Sequence, residues 1–483
     1  MTNLSGANLN NGVAVGPQGE GKDSPSTFPK YPAYKDSGVE WLEEVPTGWT
    51  VAKLGYFFRE PPCYGVLVPD FDPEGVPMLR ITDMEHEFID ASGLVTISAS
   101  LSAQYARTIV QVGDVVLSLV GTIGKAFEIS PKLAGVNLSR AVARIQLNDN
   151  TLPRYLCWIF QSCEFTHFID LVCRGTAQRV LNLSDLNAFS FTFPSYSEQC
   201  AISRFLDHET ARIDALIEEQ QRLIELLKEK RQAVISHAVT KGLDPAVPMK
   251  DSGVEWLGEV PAHWSFKQSK YLFEFVTSGS RGWAEYYSDD GDLFFRIANL
   301  TRDSIEPKLA SIQYVTPPEN AEGERSKVRC GDILISITAD LGSVCVASDE
   351  VAGSYVSQHV ALARPVRKTV FSRWLAYFIL STTCKDQLVG AGYGGTKVQL
   401  SLEDIRSFWV SMPPYDEQIS LAAFLDREVQ AFDGLITQAA IGVDLLSERR
   451  SALISAAVTG KIDVRDWQPP TSIQAPELEK EAV

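Results

Sequence analysis

The sequence predicts an α+β fold. Two strand-rich globular domains lie in tandem, separated by two long helices packed as an antiparallel coiled coil, with an internal pseudo-two-fold symmetry. Three observations predict it. First, residues 197–240 run for roughly ten helical turns without Pro or Gly. Leu206, Ile213, Gln220, Leu227 and Val234 fall seven apart there, Leu216 and Leu223 lie on the neighbouring row, and Ile217 and Ile224 widen the stripe. Such a repeat demands a partner helix along its length. Second, residues 415–463 supply one at a constant offset of 219, Leu425, Phe432, Ala439, Leu446 and Leu453 answering the five positions above and Leu435 answering Leu216. Third, the rest of the chain is also written twice. The stretch from Lys35 to Trp49 returns as Lys250 to Trp264, Arg80-Ile-Thr-Asp-Met84 as Arg296-Ile-Ala-Asn-Leu300, and Gly113-Asp-Val-Val-Leu-Ser118 as Gly331-Asp-Ile-Leu-Ile-Ser336.

A period this long excludes a solenoid and indicates a duplicated domain. The first long helix leaves one globular domain and enters the next. Under a two-fold the second must run back, so the pair is antiparallel and acts as a strut. Two ordinary core helices are the plain alternative. The length and the polar faces carrying Glu218, Glu219, Lys228 and Glu229 favour the strut.

The elements follow in order. Residues 1–30, rich in Asn, Gly, Ser and Pro, read as a disordered leader. Residues 31–196 form the first globular domain, opened by Trp41 and Trp49 around a Pro turn, where aromatic anchoring is the expected role. Strand-like runs follow at 75–81, 108–120 and 140–147, with counterparts at 293–297, 327–338 and 356–364. Helical periodicity covers 155–172 and 373–389. The first long helix occupies 197–243, the second globular domain 244–415, the second long helix 416–465 and a loose Pro- and Glu-rich tail 466–483. Ser197-Glu-Gln and Asp416-Glu-Gln open the helices with a small polar cap and an acidic first turn.

Composition narrows the function. The chain has 483 residues, 45% hydrophobic and 22% charged, enough for two cores. Its eight cysteines show no CxxC and no zinc spacing, which suits reduced thiols in the cytoplasm. The N-terminus lacks a basic-then-apolar signal and the apolar runs are too short to span a bilayer, so no membrane partner is expected. A net charge of −17 argues against a lone, tight DNA binder and suits a subunit that borrows positive surface from partners.

No catalytic motif survives inspection. Gly121-Thr-Ile-Gly-Lys125 lacks the earlier Gly and the following Ser/Thr of a phosphate loop, since those positions are Leu119 and Ala126. The glycines fit a hairpin or loop that presents backbone. Gly390-Ala-Gly-Tyr-Gly-Gly395 follows a helical run rather than a strand, Met412-Pro-Pro-Tyr415 lacks the Asn or Asp of an amino-methyltransferase motif, and no Lys-containing nuclease pattern follows Pro69-Asp70. The six histidines form no nucleophile–base pair or metal set.

Taken together, the paired Asp-Ser-Gly-Val-Glu-Trp-Leu…Pro…Trp openings, the Gly-Asp-(Val/Ile)-(Val/Leu)-(Leu/Ile)-Ser strands with Gly121-Thr-Ile-Gly-Lys125, and the Pro…Glu-Gln…Phe-Leu-Asp…Ile helix entries at 194–213 and 414–436 resemble the specificity subunit of type I DNA restriction–modification systems. The resemblance spans about residues 31–466; the second copy departs at Ala339-Asp-Leu-Gly-Ser343, which lacks the Thr and Lys of the first. It implies two target recognition domains, each reading half of a split double-stranded DNA sequence, and spacer helices that dock two methyltransferase subunits. It also implies a non-catalytic chain without cofactors. S-adenosylmethionine, ATP and Mg would belong to the methyltransferase and restriction (motor) subunits, whose complex methylates adenine N6 and cuts DNA.

Loop cations and amides are the DNA-contact candidates: Arg80, Thr82, Thr122, Lys125, Arg174, Gln178 and Arg179, then Arg281, Arg296, Asn299, Arg302, Lys397 and Gln399. Arg80 and Arg296, at equivalent places in predicted strands, have a structural alternative. The competing function is a coiled-coil interaction scaffold with two binding modules and no DNA role.

Overall fold

The computed structural model describes residues 28–85, 90–173, 179–254, 257–279, 281–316, 321–338, 340–391 and 399–470. The chain divides into two compact units, one built from residues up to Glu219 together with those from Gly442 onward, the other from Gln220–Ile441. Both boundaries fall inside the long helices Tyr196–Lys241 and Tyr415–Val458. Each unit therefore owns the start of one helix and the end of the other.

The first unit opens with a hairpin of β1 (Tyr34–Asp36) and β2 (Glu44–Pro46). Lys35 Nζ donates to the Trp49 carbonyl at 2.6 Å, and the buried Trp49 indole donates to Glu198 at 3.3 Å, pinning the domain's entrance to the first long helix. Next, β3 (Thr50–Lys53) pairs with β11 (Ser190–Phe193). A four-stranded antiparallel sheet runs in the order β4 (Phe58–Tyr64), β10 (Val142–Leu147), β7 (Val115–Ser118), β8 (Ala126–Glu128). A smaller sheet sets β5 (Phe71–Leu79) between β6 (Val95–Ile97) and β9 (Asn137–Leu138), with β9 parallel to β5. Val115 and Leu117 face a core shared with both long helices, whereas Val116 faces Leu79, Leu138 and Val142. Burial of both faces explains why β7 is a continuous apolar run rather than an alternating one.

The second unit repeats the order. Its hairpin is β12 (Met249–Asp251) and β13 (Glu259–Pro261), and β14 (Ser265–Gln268) pairs with β23 (Trp409–Met412). The antiparallel sheet runs β15 (Phe273–Ser278), β22 (Val360–Pro365), β19 (Ile333–Ser336), β20 (Val344–Val346). The smaller sheet runs β16 (Tyr287–Ser288), β18 (Tyr314–Val315), β17 (Asp292–Phe295), β21 (Tyr355–Val356), with β21 parallel to β17. Polar locks recur as well. Buried Arg144 pairs with Asp114 at 2.6 Å and Arg364 with Asp332 at 2.7 Å. Gln199 and Gln418 each bridge a helix start to the loop before the preceding core helix.

Within each unit the helix segments run antiparallel. In the first, Asp214 pairs with Arg450 at 2.8 Å while the earlier Phe205 shares a core with Leu453, Ile454 and Val458 near the second helix's end, so advance along one helix is retreat along the other. In the second, Arg231 pairs with Asp433, and Gly242 lies beside Glu417. Leu206, Ile213, Leu425 and Leu453 are buried, and Leu227, Val234, Phe432 and Leu446 are half-buried. Leu216, Leu223 and Leu435, at 45%, 42% and 55% exposure, point away from the seam. The second row is instead Ile217 and Ile224, both half-buried. Ile217 sits about 40° around the helix from Ile213, Leu216 about 60° to the other side.

Several boundaries differ from the sequence expectation. The periodic stretches at 155–172 and 373–389 each split into two helices, Pro153–Phe160 with Cys163–Val172, and Ser372–Leu380 with Thr382–Ala391. Ser162 and Ser381 break them, each hydroxyl accepting the N–H three residues on. The strand expected over 108–120 is β7 alone. The second long helix stops at Val458 rather than 465, because Gly460 turns left-handed (φ 76°) and the Lys461 N–H caps the Ala456 carbonyl.

Candidate nucleic-acid interface

In the first unit the chain leaves β7 at Ser118, whose hydroxyl donates to the Thr122 carbonyl at 2.6 Å and accepts the Lys125 N–H at 2.9 Å. Gly121 and Gly124 take the left-handed backbone this tight tip requires, at φ 70° and 98°. The glycines of the failed phosphate motif thus shape a hairpin tip. Clefts lie on either side of it. One, of about 880 Å³, is lined by Thr122, Lys125, Phe160, Arg179 and Arg450; the other, of about 590 Å³, by Tyr64, Thr82, Thr122, Arg140 and Val180. Val180 bridges Val120, which brings the segment after helix Cys163–Val172 against the tip.

The candidates separate by what already holds them. Thr82 and Thr122 are exposed, and Lys125, half-buried, has no side-chain partner among the described residues. Arg179 is ion-paired with Asp170. Arg80 follows β5 rather than lying in it, and its guanidinium is forked onto Asp83 at 2.8 and 3.1 Å. In the second unit Arg281 is exposed and Arg302 pairs with Asp340. The Arg302 carbonyl accepts from Lys385 Nζ at 3.2 Å; burial depresses that lysine's pKa despite nearby Asp303 and Asp340. Arg296 follows β17, and its Nε is buried without a partner. Gln399 is exposed and bridges Thr338 through the backbone. Asn299 cannot reach a ligand: it is 1% exposed, its amide donates to the Lys308 and Ser311 carbonyls, and its Oδ1 accepts the Arg296 N–H. Loop polarity alone marked it, and the turn it holds together uses all of that polarity. Arg174, Gln178 and Lys397 lie outside the described residues.

A cleft of about 240 Å³ in the second unit is lined by Trp283, Phe294, Arg296, Ser357, Gln358 and His359. It occupies the same topological place as the 590 Å³ cleft, beside the turn that follows β5 at Ile81 or β17 at Arg296-Ile297.

Comparison with known proteins is informative at this point. The model of the type I restriction modification DNA specificity domain matches residues 49–227 and 311–439. The chain belongs to that family. The type I restriction enzyme EcoBI specificity subunit of Escherichia coli is 27% identical over 199 residues, 40% of this chain and 42% of that relative, so the match spans less than half of the curated protein's length. A chain from a structural study of complex assembly and conformational transition of the type I R-M system superposes with a TM-score of 0.60 at 19% identity, covering 86% of this chain and 98% of the other. The chain therefore shares its fold with that chain of the type I R-M study. The HsdS subunit from Thermoanaerobacter tengcongensis aligns over the same shares at 18% identity and a TM-score of 0.48.

Arg140, Gln358 and His359, which the sequence does not single out, also line these clefts. They sit in a short connection between a two-residue strand and β10 or β22, with no motif around them. The available signal was the duplication itself, which sets Ser139-Arg140-Ala141 against Ser357-Gln358-His359 between matched flanks.

Proposed function

We propose that each globular unit binds one half of a bipartite double-stranded DNA target. The paired helices, as an antiparallel coiled coil under a pseudo-two-fold, set the half-site spacing and dock two methyltransferase subunits. One observation carries this: a single unbroken helix of 46 residues, roughly 70 Å long, leaves the first unit and runs into the second, and an equivalent 44-residue helix returns. A continuous helical spacer between two reading heads would set their spacing, as the dimer interface does for symmetric DNA binders. Docking is supported by exposed leucines at mid-helix, Leu216, Leu223 and Leu226 on the first and Leu435 and Leu445 on the second. The chain itself is non-catalytic. S-adenosylmethionine, ATP and Mg belong to the methyltransferase and motor partners.

Purified alone, the chain should neither methylate nor cut DNA. With methyltransferase subunits it should direct adenine methylation at one two-part motif, read by methylation-aware sequencing. Activity from the chain alone, or methylation without a motif, refutes the proposal. The net charge of −17 favours a second reading, a protein-only scaffold. Gel shifts of the assembled complex at rising salt separate the two, since a scaffold gives no salt-dependent DNA binding.

A further inference from the structure

Each unit repeats the same backbone frame with unlike side chains on it. In the first, β9 runs parallel to β5 and passes through Ser139, Arg140 and Ala141 into β10. In the second, β21 runs parallel to β17 and passes through Ser357, Gln358 and His359 into β22. The backbone is fixed alike in both. Ser139 N donates to Leu79 O at 3.0 Å and Ser357 N to Phe295 O at 2.8 Å. The carbonyls of Ala141 and His359 accept from Leu119 N at 2.8 Å and Ile337 N at 3.1 Å. A Cβ at Gly65 would collide with the Leu138 carbonyl, and one at Gly279 with that of Val356, so a neighbouring strand passes close to both segments.

On this frame Arg140 lines the 590 Å³ cleft, exposed and without a side-chain partner among the described residues, unlike Arg80, Arg179 and Arg302. Gln358 lines the 240 Å³ cleft beside Trp283 and Phe294, its Nε2 3.0 Å from His359 Nε2. Ser357, 6% exposed, lines the same cleft with a buried, unpartnered hydroxyl. Phosphate is the competing partner for both side chains, and the test below separates the two. A position that alternates between a guanidinium and an amide matches base edges instead: the Arg fork fits guanine O6 and N7, and the amide fits adenine N6 and N7.

Resting on the DNA-reading function above, we propose that Arg140 and Gln358 are matched base-reading positions, Arg140 selecting guanine in one half-site and Gln358 adenine in the other. The chain is assembled with its methyltransferase partner as wild type, R140A, R140K, R140Q and Q358A, and the motif each complex methylates is sequenced. Thermal melting of each complex reports folding, and R140K carries the test if R140A unfolds. We expect R140A and R140K alike to cut discrimination at one guanine by roughly 5- to 150-fold and to leave the other half-site intact. R140Q should move that preference towards adenine, and Q358A should relax one adenine in the opposite half. An unchanged motif in both alanine variants overturns the assignment while leaving the broader function standing. It also falls if R140K keeps full discrimination and R140A weakens all sequences equally with a shallower salt slope, the signature of a phosphate contact. A wild-type complex with no two-part motif removes the broader function, and this assignment with it.

Discussion

At the scale of single residues, polar groups in this protein are either committed to the scaffold or left free for a ligand. Arg144–Asp114 and Arg364–Asp332 are committed, with at least one partner nearly inaccessible in each pair. Asp114→Asn or Asp332→Asn strands a buried guanidinium, so each should cost about 3–5 kcal/mol in chemical denaturation. The thiols divide in the same way. Cys157, Cys345 and Cys384 are buried, and burial drives each pKa up, that of Cys157 to about 12. Maleimide should therefore label Cys163 and Cys330, the exposed thiols, in the folded chain, and reach those three and the buried Cys173 only after denaturation. A hydrogen bond to Asp349 raises the Cys330 pKa, so thiolate forms there only at higher pH and its labelling rate should still be climbing above pH 9. Mass spectrometry of the labelled peptides checks both points.

At the scale of elements, the long helices carry two apolar rows in different settings. Leu227 and Leu446 belong to the half-buried seam, whereas Leu223 and Leu435 are exposed. Leu227→Asp or Leu446→Asp should lower stability by roughly 1–3 kcal/mol, since a carboxylate is forced against apolar neighbours. Leu223→Asp should leave the melting temperature within error and weaken methyltransferase binding in a pull-down or titration. If both substitutions behave alike, the division of the rows is wrong. Each helix entrance is fixed by a matched set of contacts, Trp49 to Glu198 and Trp264 to Glu417 at 3.3 and 3.0 Å, which is why the duplicated Trp and Glu-Gln signatures travel together in the sequence.

At the scale of the whole molecule, the first unit is not a continuous piece of chain, since it joins residues up to Glu219 with those from Gly442 onward. The first core takes Leu453, Ile454, Ala457 and Val458 from the end of the second long helix. A fragment of residues 28–248 lacks them but carries Val234, Ile235, Ala238 and Val239 at the equivalent offset on its own helix. It should therefore close its core with a second copy and sediment as a homodimer. A stable monomeric fragment would contradict the shared core. Among the described residues no helix is long and apolar enough to cross a membrane, and no cluster of three or more His, Cys, Asp or Glu is placed to hold a metal ion.

What the sequence determined by itself is whatever repeats along the chain. The seven-residue spacing, the near-constant offset between the copies and the Gly-rich tip at 121–125 are local or periodic signals. They were enough for the α+β class, the two long helices and the family. The tertiary structure decided which members of those patterns meet. It turned Leu216 and Leu223 outward in favour of Ile217 and Ile224, because helix facing depends on the side from which a partner approaches. It also tied Arg302 to Asp340 and buried Asn299 in its own turn. Finally, it left Arg140 free in a cleft whose walls come from five separated stretches of sequence. Hydrogen bonds and ion pairs between distant positions leave no periodic trace, so folding alone shows which polar side chains are spent and which remain available for a ligand.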